Sequence, residues 1–440
     1  MTMYNKKNIS FTTANDLCTG CGICIGVCPV SCISMMPTDG NFRPKIDENK
    51  CINCKRCLTV CPGIGININK LSLQLYPTAA NTDKMCGRWE KCFTGYSNDF
   101  DIRYHSASGG TLSQFIIWLL ENNKIDGAVV TKFDARKPFL VKSFLASSKE
   151  DIISARSSKY SPVTLDDAIE EIATSSKTRF VLVGLPCHIH GIRKRMLIDK
   201  KLQNKEIGLF AIYCSCGRSF YMTDYIFKER GIPLNDIEYF QYRDEGCLGK
   251  MVVKVSEPKG HTIRVINNNS ESALCDKTIV YKEHYQSYYH PLRSFFVPKR
   301  CLLCIDHYGE LADVCFGDIH IKPYSEDKIG INSIIVRNKK WLDLLLECQS
   351  QNNITLNEIP FDVISSSQRM SLIKKGRNGA FVKLLNFLGR PAPKYDVNYL
   401  RRPTAKDCAD YIQTRIQQFI GKHKKLWPLI SVLKAKVNIN

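Results

Sequence analysis

The sequence has no apolar segment that is long enough to span a membrane. The apolar run at residues 115–120 is about a third of the roughly 20 residues that a spanning helix needs. The first ten residues contain no apolar core of the kind that a secretory signal requires. We therefore expect a cytoplasmic protein without a transmembrane helix, in which disulfide bonds are the minor use of cysteine.

Several functional fingerprints are missing as well. The sequence contains neither GxGxxG nor GxxxxGK[ST], so NAD or ATP binding through these motifs has no support. Self-similarity at the period of solenoid repeats is absent. No Ser-His-Asp constellation stands out, and the sequence therefore does not identify a catalytic side chain.

Acidic residues are few relative to basic ones. The 440 residues include 62 Lys+Arg against 42 Asp+Glu, which gives a formal charge of +20. Hydrophobic residues make up 44% and charged residues 24%, as is typical of a folded protein, and the length predicts two or three domains. One hypothesis for the charge is a nucleic-acid-binding protein with zinc knuckles. Every hypothesis must also account for 21 cysteines.

Eight cysteines form the strongest pattern in the sequence. They make two C-x2-C-x2-C-x3-C-P runs of identical spacing between residues 18 and 62. The first three cysteines of such a run bind one 4Fe-4S cluster, and in a paired module the fourth serves the other cluster. The predicted ligand sets are Cys18, Cys21, Cys24 and Cys61 for one cluster, and Cys51, Cys54, Cys57 and Cys28 for the second.

The segment that carries both runs resembles a bacterial-type two-cluster ferredoxin. The resemblance covers residues 10–68 and implies an α+β ferredoxin-like module over residues 1–70. Gly20 and Gly22 are expected to let the backbone turn tightly and to offer amide N–H groups to the cluster sulfurs. Zinc sites usually take paired C-x2-C knuckles, so the pattern favours iron over zinc.

Residues 85–375 have the alternating texture of an α/β domain. Apolar residues recur at helical spacing in 111–121, and the short apolar runs 127–131, 179–184 and 208–213 are typical of buried strands. This alternation predicts a largely parallel sheet. Cysteines that directly follow such strands lie at the edge where α/β proteins place their cofactors.

Six segments of this domain occur in the order seen in the beta subunits of coenzyme F420-reducing hydrogenase. They are SASGG (106–110), VLVGLPCHIHG (181–191), IYCSCG (212–217), FQYRD (240–244), PKRCLLC (298–304) and ADVCFGD (312–318). The sequence resembles this family, with the related formate dehydrogenase beta subunits and 7-hydroxymethyl chlorophyll a reductase. The resemblance implies an α/β flavin-binding domain that holds FAD and commonly a third 4Fe-4S cluster.

The resemblance also implies which residues hold these groups. The implied ligands of the third cluster are Cys187, Cys214, Cys301 and Cys304. Cys216 or Cys315 is open as a replacement ligand, and each of these thiols is alternatively a buried core residue.

Two segments are the candidates for flavin contacts. A Gly-rich turn before a helix offers free N–H groups to a pyrophosphate, and a loop with two cations can clamp phosphates. Ordinary capping and a surface salt bridge are the competing explanations. The candidate residues are Ser106, Ser108, Gly109, Gly110, Arg156, Ser158 and Lys159.

The last 60 residues, 381–440, form a basic tail. They hold twelve Lys/Arg against three Asp/Glu, a net charge of +9. Ile412, Ile416, Phe419 and Ile420 keep helical spacing, which predicts an amphipathic helix. The helix is either packed on the main domain and otherwise solvated, or a peripheral contact for anionic lipid or an acidic partner. Because the unbalanced charge is concentrated here, we expect no nucleic-acid partner.

Two hypotheses for function follow. The first is an oxidoreductase in which electrons pass from the ferredoxin module to the third cluster and FAD, with hydride exchange to coenzyme F420 or a similar small acceptor. The second is an electron-transfer subunit that relays electrons between partner proteins without its own substrate. The expected partner is ferredoxin or a hydrogenase/dehydrogenase-type subunit.

Overall fold

A computed structural model describes residues 8–134, 137–256, 270–275, 278–292, 294–398 and 400–433. The end of the predicted tail, 434–440, and the first seven residues of the predicted ferredoxin module lie outside the described residues. Within the described part, no helix is long and apolar enough to cross a bilayer.

The helices and strands follow one another in mixed order along the chain. The α-helices are α1 Ser10–Ala14, α2 Arg56–Val60, α3 Ile68–Leu75, α4 Phe100–Tyr104, α5 Thr111–Glu121, α6 Lys149–Ala155, α7 Asp166–Thr174, α8 Pro186–Met196, α9 Lys200–Gln203, α10 Phe220–Arg230, α11 Tyr285–Tyr289, α12 Lys339–Ser350, α13 Phe361–Ser367, α14 Met370–Ile373, α15 Gly379–Phe387, α16 Ala405–Lys422 and α17 Pro428–Leu433. The strands are β1 Ile33–Thr38, β2 Asn41–Ile46, β3 Gly65–Ile66, β4 Asn81–Asp83, β5 Gly87–Trp89, β6 Lys91–Ser97, β7 Gly127–Asp134, β8 Lys137–Ala146, β9 Arg179–Gly184, β10 Glu206–Ile212, β11 Ile237–Asp244, β12 Lys250–Ser256, β13 Ser270–Cys275, β14 Thr278–His284, β15 Val314–Asp318, β16 Asn332–Val336, β17 Ile354–Glu358 and β18 Lys394–Tyr395.

An eight-stranded mixed sheet forms the centre of the protein, in the order β17-β6-β16-β15-β10-β9-β7-β8. The four inner strands β15, β10, β9 and β7 pair in parallel, which confirms a parallel centre. The flanking pairs are antiparallel, so the sheet as a whole is mixed rather than largely parallel. At one end of the sheet the cause is simple, because β7 and β8 are only two residues apart in the sequence, too few for a parallel crossover.

Helices cover both faces of this sheet. On one face α5 and α12 pack a core that includes Phe115, Trp118 and Trp341. On the other face α7 and α8 contribute Ile169 and Ile189 to a second core. Burial on both faces explains why the inner strands read as continuous apolar runs in the sequence.

A separate four-stranded antiparallel sheet has the order β11-β12-β14-β13. It contains the FQYRD segment in β11 and packs against α10 around Phe227, Phe240 and Tyr242. The alternation of helices and strands did not predict this sheet, because its four strands follow one another without an intervening helix among the described residues.

A buried ion pair joins this sheet to α10. Arg230 Nε and Nη2 donate to the two carboxylate oxygens of Glu283 at 2.5 and 2.8 Å, and Tyr281 Oη donates to the same group. Glu283 is 0% exposed. We expect Glu283→Gln to lower the free energy of unfolding by about 3 kcal/mol, because the buried Arg230 charge loses its bidentate partner and keeps only the more exposed Glu229.

Urea denaturation followed by circular dichroism checks this expectation. Glu271→Gln is the matched control, since Glu271 pairs with Lys250 on an exposed part of the same sheet. Loss of this exposed pair should lower the free energy of unfolding by about 1 kcal/mol or less. Equal destabilisation by the two variants would contradict the role of the buried pair.

The cysteine-rich N-terminal segment docks directly on the α/β part of the chain. β3 pairs in parallel with β18, and the Leu165 N–H donates to the carbonyl of Cys21 at 3.0 Å. Lys194 Nζ donates to the carbonyls of Cys61 and Gly65, and Arg300 Nη2 donates to the carbonyl of Pro62. Basic side chains of the α/β part therefore bind the backbone around the end of the second cysteine run.

Candidate iron-sulfur and flavin site

The first predicted cysteine set lies together in the interior of the N-terminal segment. Its members are Cys18, Cys21, Cys24 and Cys61, all of which are buried. Burial raises the pKa of the Cys24 thiol well above its ordinary value, and the charges of the other three thiols raise it further. The N–H groups of Gly20 and Gly63 donate to Cys18 Sγ and Cys61 Sγ at 3.4 and 3.3 Å. Gly20 and Gly22 both have positive φ, as the predicted tight turn requires.

The second predicted set lines a cavity nearer the surface. The cysteines that line it are Cys28, Cys32, Cys51, Cys54 and Cys57. Cys54 is exposed, and Asn8 Nδ2 donates to Cys51 Sγ at 3.5 Å. Cys32 has no partner at metal spacing in the sequence, yet its Sγ lies 3.4 Å from Cys28 Sγ. The structure thus adds a fifth thiol to the predicted four.

The third set is assembled at the carboxyl edge of the central sheet. Cys187 lies just after β9 and Cys214 just after β10, whereas Cys301 lies in a short helical turn that Cys304 directly follows. Burial raises the pKa of Cys187 well above its ordinary value, and the charges of the other three thiols raise it further. In each pair among these four thiols, the charge of one thiol raises the pKa of the other. The structure therefore brings together all four residues.

The two alternative thiols lie outside this set. Cys216 is adjacent to Cys214 and Cys301, and Arg218 Nη1 donates to Cys216 Sγ at 2.8 Å. Cys216 is not among the main influences on the pKa of Cys187. Cys315 is in the core on β15, where its Sγ donates to the carbonyl of Gly309. Cys216 is nevertheless the thiol whose charge raises the pKa of Cys301 most, so it stays open as an alternative ligand, whereas Cys315 lies apart from the set.

A buried lysine that the sequence did not single out contacts the third set. Lys374 begins a π-helical turn, Lys374–Asn378, between α14 and α15. Its Nζ lies 3.5 Å from Cys304 Sγ and donates to the carbonyl of Asp306 at 2.7 Å. At the other end of the turn, Asn378 Nδ2 donates to the carbonyls of Cys301 and Cys304. The turn thus clamps the CxxC segment and places a cation beside its thiols.

The three sets form a row. The charge of Cys57, from the second set, is among those that raise the pKa of buried Cys24 in the first. The charge of Cys21, from the first set, likewise adds to the effect of burial on the pKa of Cys187 in the third. Among the described residues, no group of three or more His, Cys, Asp or Glu has the spacing for a single metal ion.

The two segments predicted to contact a flavin meet at Arg243. Arg243 Nη2 donates to the carbonyl of Ala107, and Ser157 Oγ donates to the carbonyl of Arg243. The other guanidinium nitrogens of Arg243 bind Asp318 at 2.8 Å and the carbonyl of Leu248 at 2.7 Å. Residues 106–110 and 156–159 are thus parts of one site.

Most polar groups of these segments are already engaged. Ser106 Oγ and Ser108 Oγ donate to main-chain carbonyls, and Asn332 Oδ1 accepts from the N–H of Thr111 at the start of α5. Arg156 pairs with Asp101 at 2.6 Å. Burial, followed by the charge of Arg156, lowers the pKa of Lys159 to about 7, and its Nζ donates to three carbonyls of its own loop.

Three tyrosines and a second arginine connect Arg243 with the third cysteine set. The rings of Tyr160, Tyr285 and Tyr289 lie within 4.5–5.6 Å of one another. The Arg243 guanidinium lies 4.9 Å from the Tyr285 ring, and that of Arg218 lies 4.3 Å from the Tyr289 ring. Two weak signals were visible in the sequence: Tyr160 directly follows the predicted Lys159, and Tyr285 begins the segment YQSYY.

Arg218 is the part of this region that fits a bound anionic group. It is 3% exposed, and its Nε and Nη2 are buried without a hydrogen-bond partner. Although burial by itself opposes the charge, Cys216 and Tyr289 raise the pKa of Arg218 above its ordinary value, so it stays cationic. Unpaired buried donors beside stacked rings fit a planar group that carries negative charge, as a flavin does.

Family models match most of this arrangement. Residues 17–63 match the 4Fe-4S dicluster domain. Residues 92–170 match the N-terminal part, and residues 177–361 the C-terminal part, of the coenzyme F420 hydrogenase/dehydrogenase beta subunit.

Several curated proteins of methanogens are similar in sequence. The coenzyme F420-dependent sulfite reductase of Methanocaldococcus jannaschii is 26% identical over 81% of this chain, which spans 50% of that reductase. One of the subunits of the F(420)H(2) dehydrogenase of Methanosarcina mazei is 24% identical over 75% of this chain and 83% of its own length. The beta subunit of the coenzyme F420 hydrogenase of Methanococcus voltae is 23% identical over 70% of this chain and 99% of its own length.

A solved structure shows the same fold. A chain of the F420-reducing [NiFe] hydrogenase complex from Methanosarcina barkeri superposes with a TM-score of 0.53 and 18% identity, covering 71% of this chain and 98% of the other. Together with the two matched halves of the beta subunit and the dicluster match, these findings place this chain in the family of coenzyme F420 hydrogenase/dehydrogenase beta subunits, with a 4Fe-4S dicluster domain at its N-terminal end.

Proposed function

We propose that this member of the family is a flavin-dependent iron-sulfur oxidoreductase with three 4Fe-4S clusters and one FAD. The observation that carries the proposal is the row of three cysteine sets, whose third member stands beside the Arg218 and tyrosine region. When bound, each cluster carries one electron at a time, whereas a flavin exchanges two electrons with a hydride. We also propose the domain limits 1–70, 85–375 and 381–440.

The ligand assignment under this proposal follows the geometry of the three sets. The second set is near the surface, the first set is buried beside it, and the third set, at the sheet edge, is next to the first. Lys194 and Arg300 bind the backbone that carries Cys61 and hold the N-terminal segment against α8. Arg218 supplies donors for a flavin, and the three tyrosines supply planar surfaces.

We propose coenzyme F420, or a small acceptor of similar chemistry, as the partner in hydride exchange. Support comes from the names of the relatives, which include an F420-dependent reductase, an F(420)H(2) dehydrogenase and an F420 hydrogenase. A protein donor or acceptor is the second candidate, in which case the chain relays electrons without a substrate of its own. The exposed Cys54 and its exposed neighbour Ile52 favour this candidate, because they give a partner protein access to the second set.

Metal and flavin analysis of anaerobically purified protein tests the proposal. We expect about 12 iron atoms and one FAD per chain, with a brown colour from the clusters. Oxidation of reduced F420 by the isolated chain, with a viologen dye as electron acceptor, then separates an enzyme from a relay subunit. A colourless zinc protein, or iron without flavin, would contradict the assignment.

A further inference from the structure

The helical tail is anchored to the body of the protein along one face. Gln418 Nε2 of α16 donates to the carbonyl of Val297 at 2.7 Å. Ile420, Trp427 and Ile430 are buried in the core that also contains Tyr225 of α10. Packing of this kind fixes the orientation of α16 and α17, so that their opposite faces point away from that core.

Two salt bridges reinforce this anchoring. Lys422 pairs with Asp39 of the N-terminal segment, and Lys424 pairs with Asp224 of α10, both at 2.7 Å. α16 and α17 are therefore a fixed part of the surface rather than a free extension.

The outward face of α16 is apolar where a solvated helix would be polar. Ile412, Ile416 and Phe419 are 60%, 56% and 57% exposed. Their spacing places them on one side of the helix. Together with Tyr411 and Arg415 they line a shallow groove. A contiguous apolar stripe of this kind marks an interaction surface rather than scattered exposed residues.

The second helix of the tail repeats this pattern. Leu429, Val432 and Leu433 of α17 are 46%, 80% and 52% exposed, whereas Ile430 on the opposite side is buried. α17 is too short to span a bilayer or to be stable alone, so its position depends on the packing of Trp427 and Ile430. Two adjacent helices thus present protruding apolar side chains.

Cations surround these apolar side chains. Arg402, Lys406 and Lys425 are exposed and have no ion pair among the described residues, whereas the exposed Arg401, Lys422 and Lys424 pair with Asp407, Asp39 and Asp224. Arg415, which lines the same groove, and Arg390 both lie near Lys299, whose pKa is lowered by burial and then by their charges. The surface therefore combines an apolar centre with a positive rim.

We propose that the outward face of α16 and α17 binds to an anionic lipid bilayer. The apolar side chains enter the interface, and the lysines and arginines contact the phosphate groups at its surface. The observations favour a bilayer over an acidic protein for one reason. The exposed apolar residues protrude from α16 and α17, and those of α16 border only a shallow groove, instead of lining the enclosed pocket in which a protein interface buries its anchor residues. This inference is independent of the proposed redox function.

Vesicle flotation with the full-length, cofactor-loaded protein tests this proposal. We expect flotation with vesicles of phosphatidylcholine that contain about 30 mol% phosphatidylglycerol, and little with phosphatidylcholine alone. Raising the salt concentration to about 0.5 M should weaken binding, because it screens the charges. The triple variant Ile412→Ser, Ile416→Ser, Phe419→Ser should lower the apparent affinity about tenfold or more.

The matched control is Leu197→Ser with Leu234→Ser, which removes exposed apolar residues from other parts of the described surface. It should float as the original protein does, and all variants should keep the same iron content and circular dichroism. Equal flotation with neutral and anionic vesicles, or unchanged flotation of the triple variant, would overturn the proposal. So would a failure to float combined with dimer formation or capture of an acidic protein that the triple variant abolishes.

Discussion

Replacing Cys301 and Cys304 with serine should remove about four of the twelve expected iron atoms per chain. The reason is geometric, since both thiols interact with Cys187 and Cys214 and are well separated in the chain from the two N-terminal runs. The N-terminal clusters should remain, because their eight cysteines are untouched. Iron analysis and low-temperature electron paramagnetic resonance of the dithionite-reduced protein measure the loss.

Cys216→Ser is the matched control for this experiment. Cys216 is next to Cys301 but is hydrogen-bonded to Arg218, and it lies beside the set rather than within it. We expect the iron content of this variant to be unchanged. Loss of four iron atoms from Cys216→Ser, but not from Cys214→Ser, would show that Cys216 is the ligand and Cys214 the bystander.

Replacing Lys374 with methionine should lower the reduction potential of the third cluster by an amount on the order of 100 mV. Its ammonium lies 3.5 Å from Cys304 Sγ and is 1% exposed. Although burial alone opposes the charge, the thiolates of Cys304 and its neighbours raise the pKa of Lys374 above its ordinary value, so it stays protonated. A fixed positive charge stabilises the more negative, reduced cluster, and its removal makes reduction harder.

A redox titration monitored by electron paramagnetic resonance gives this potential directly. Lys374→Arg keeps the charge and should shift the potential much less than Lys374→Met. Iron analysis separates an electrostatic shift from loss of the cluster. Loss of the cluster lowers the iron content and removes the signal, whereas a change of charge only shifts the potential. A methionine variant with full iron and an unchanged potential would contradict the electrostatic role of Lys374.

Local patterns predicted individual elements well. The helix at 111–121 and the strand at 179–184 occur with the predicted limits. In these segments the period of apolar residues and the terminating Gly are properties of a few neighbouring residues, so no tertiary information was needed. Pairing direction is different, because it depends on strands far apart in the chain. The alternation of helices and strands predicted the parallel centre, but no local pattern marked the antiparallel flanks or the second sheet, which were therefore not predicted.

The residues of the candidate site likewise fall into those that local spacing predicted and those that only the folded chain brings together. The cysteine spacings predicted which thiols belong to each N-terminal set, and the structure brings those thiols together. Lys374 was missed because it lies 70 residues from Cys304 in the sequence, and Arg218 was missed because no characteristic spacing marks an arginine as functional, although it directly follows the IYCSCG segment. They reach the third set through a π-helical turn and through the loop after β10. Cys32 was missed because it falls outside the C-x2-C-x2-C-x3-C spacing, and its contact with Cys28 depends on the fold of the loop between them.

The sequence by itself determined the iron-sulfur chemistry, because the spacing of eight cysteines within 44 residues specifies two clusters whatever surrounds them. It also determined the family, through short segments in a shared order. Only the tertiary structure decided that the three cysteine sets form one row, that Cys187, Cys214, Cys301 and Cys304 come together at the sheet edge, and that α16 turns an apolar face outward. These features depend on which residues that are distant in the sequence lie close together. Burial, side-chain contacts and the electrostatic environment of a residue exist only in the folded chain.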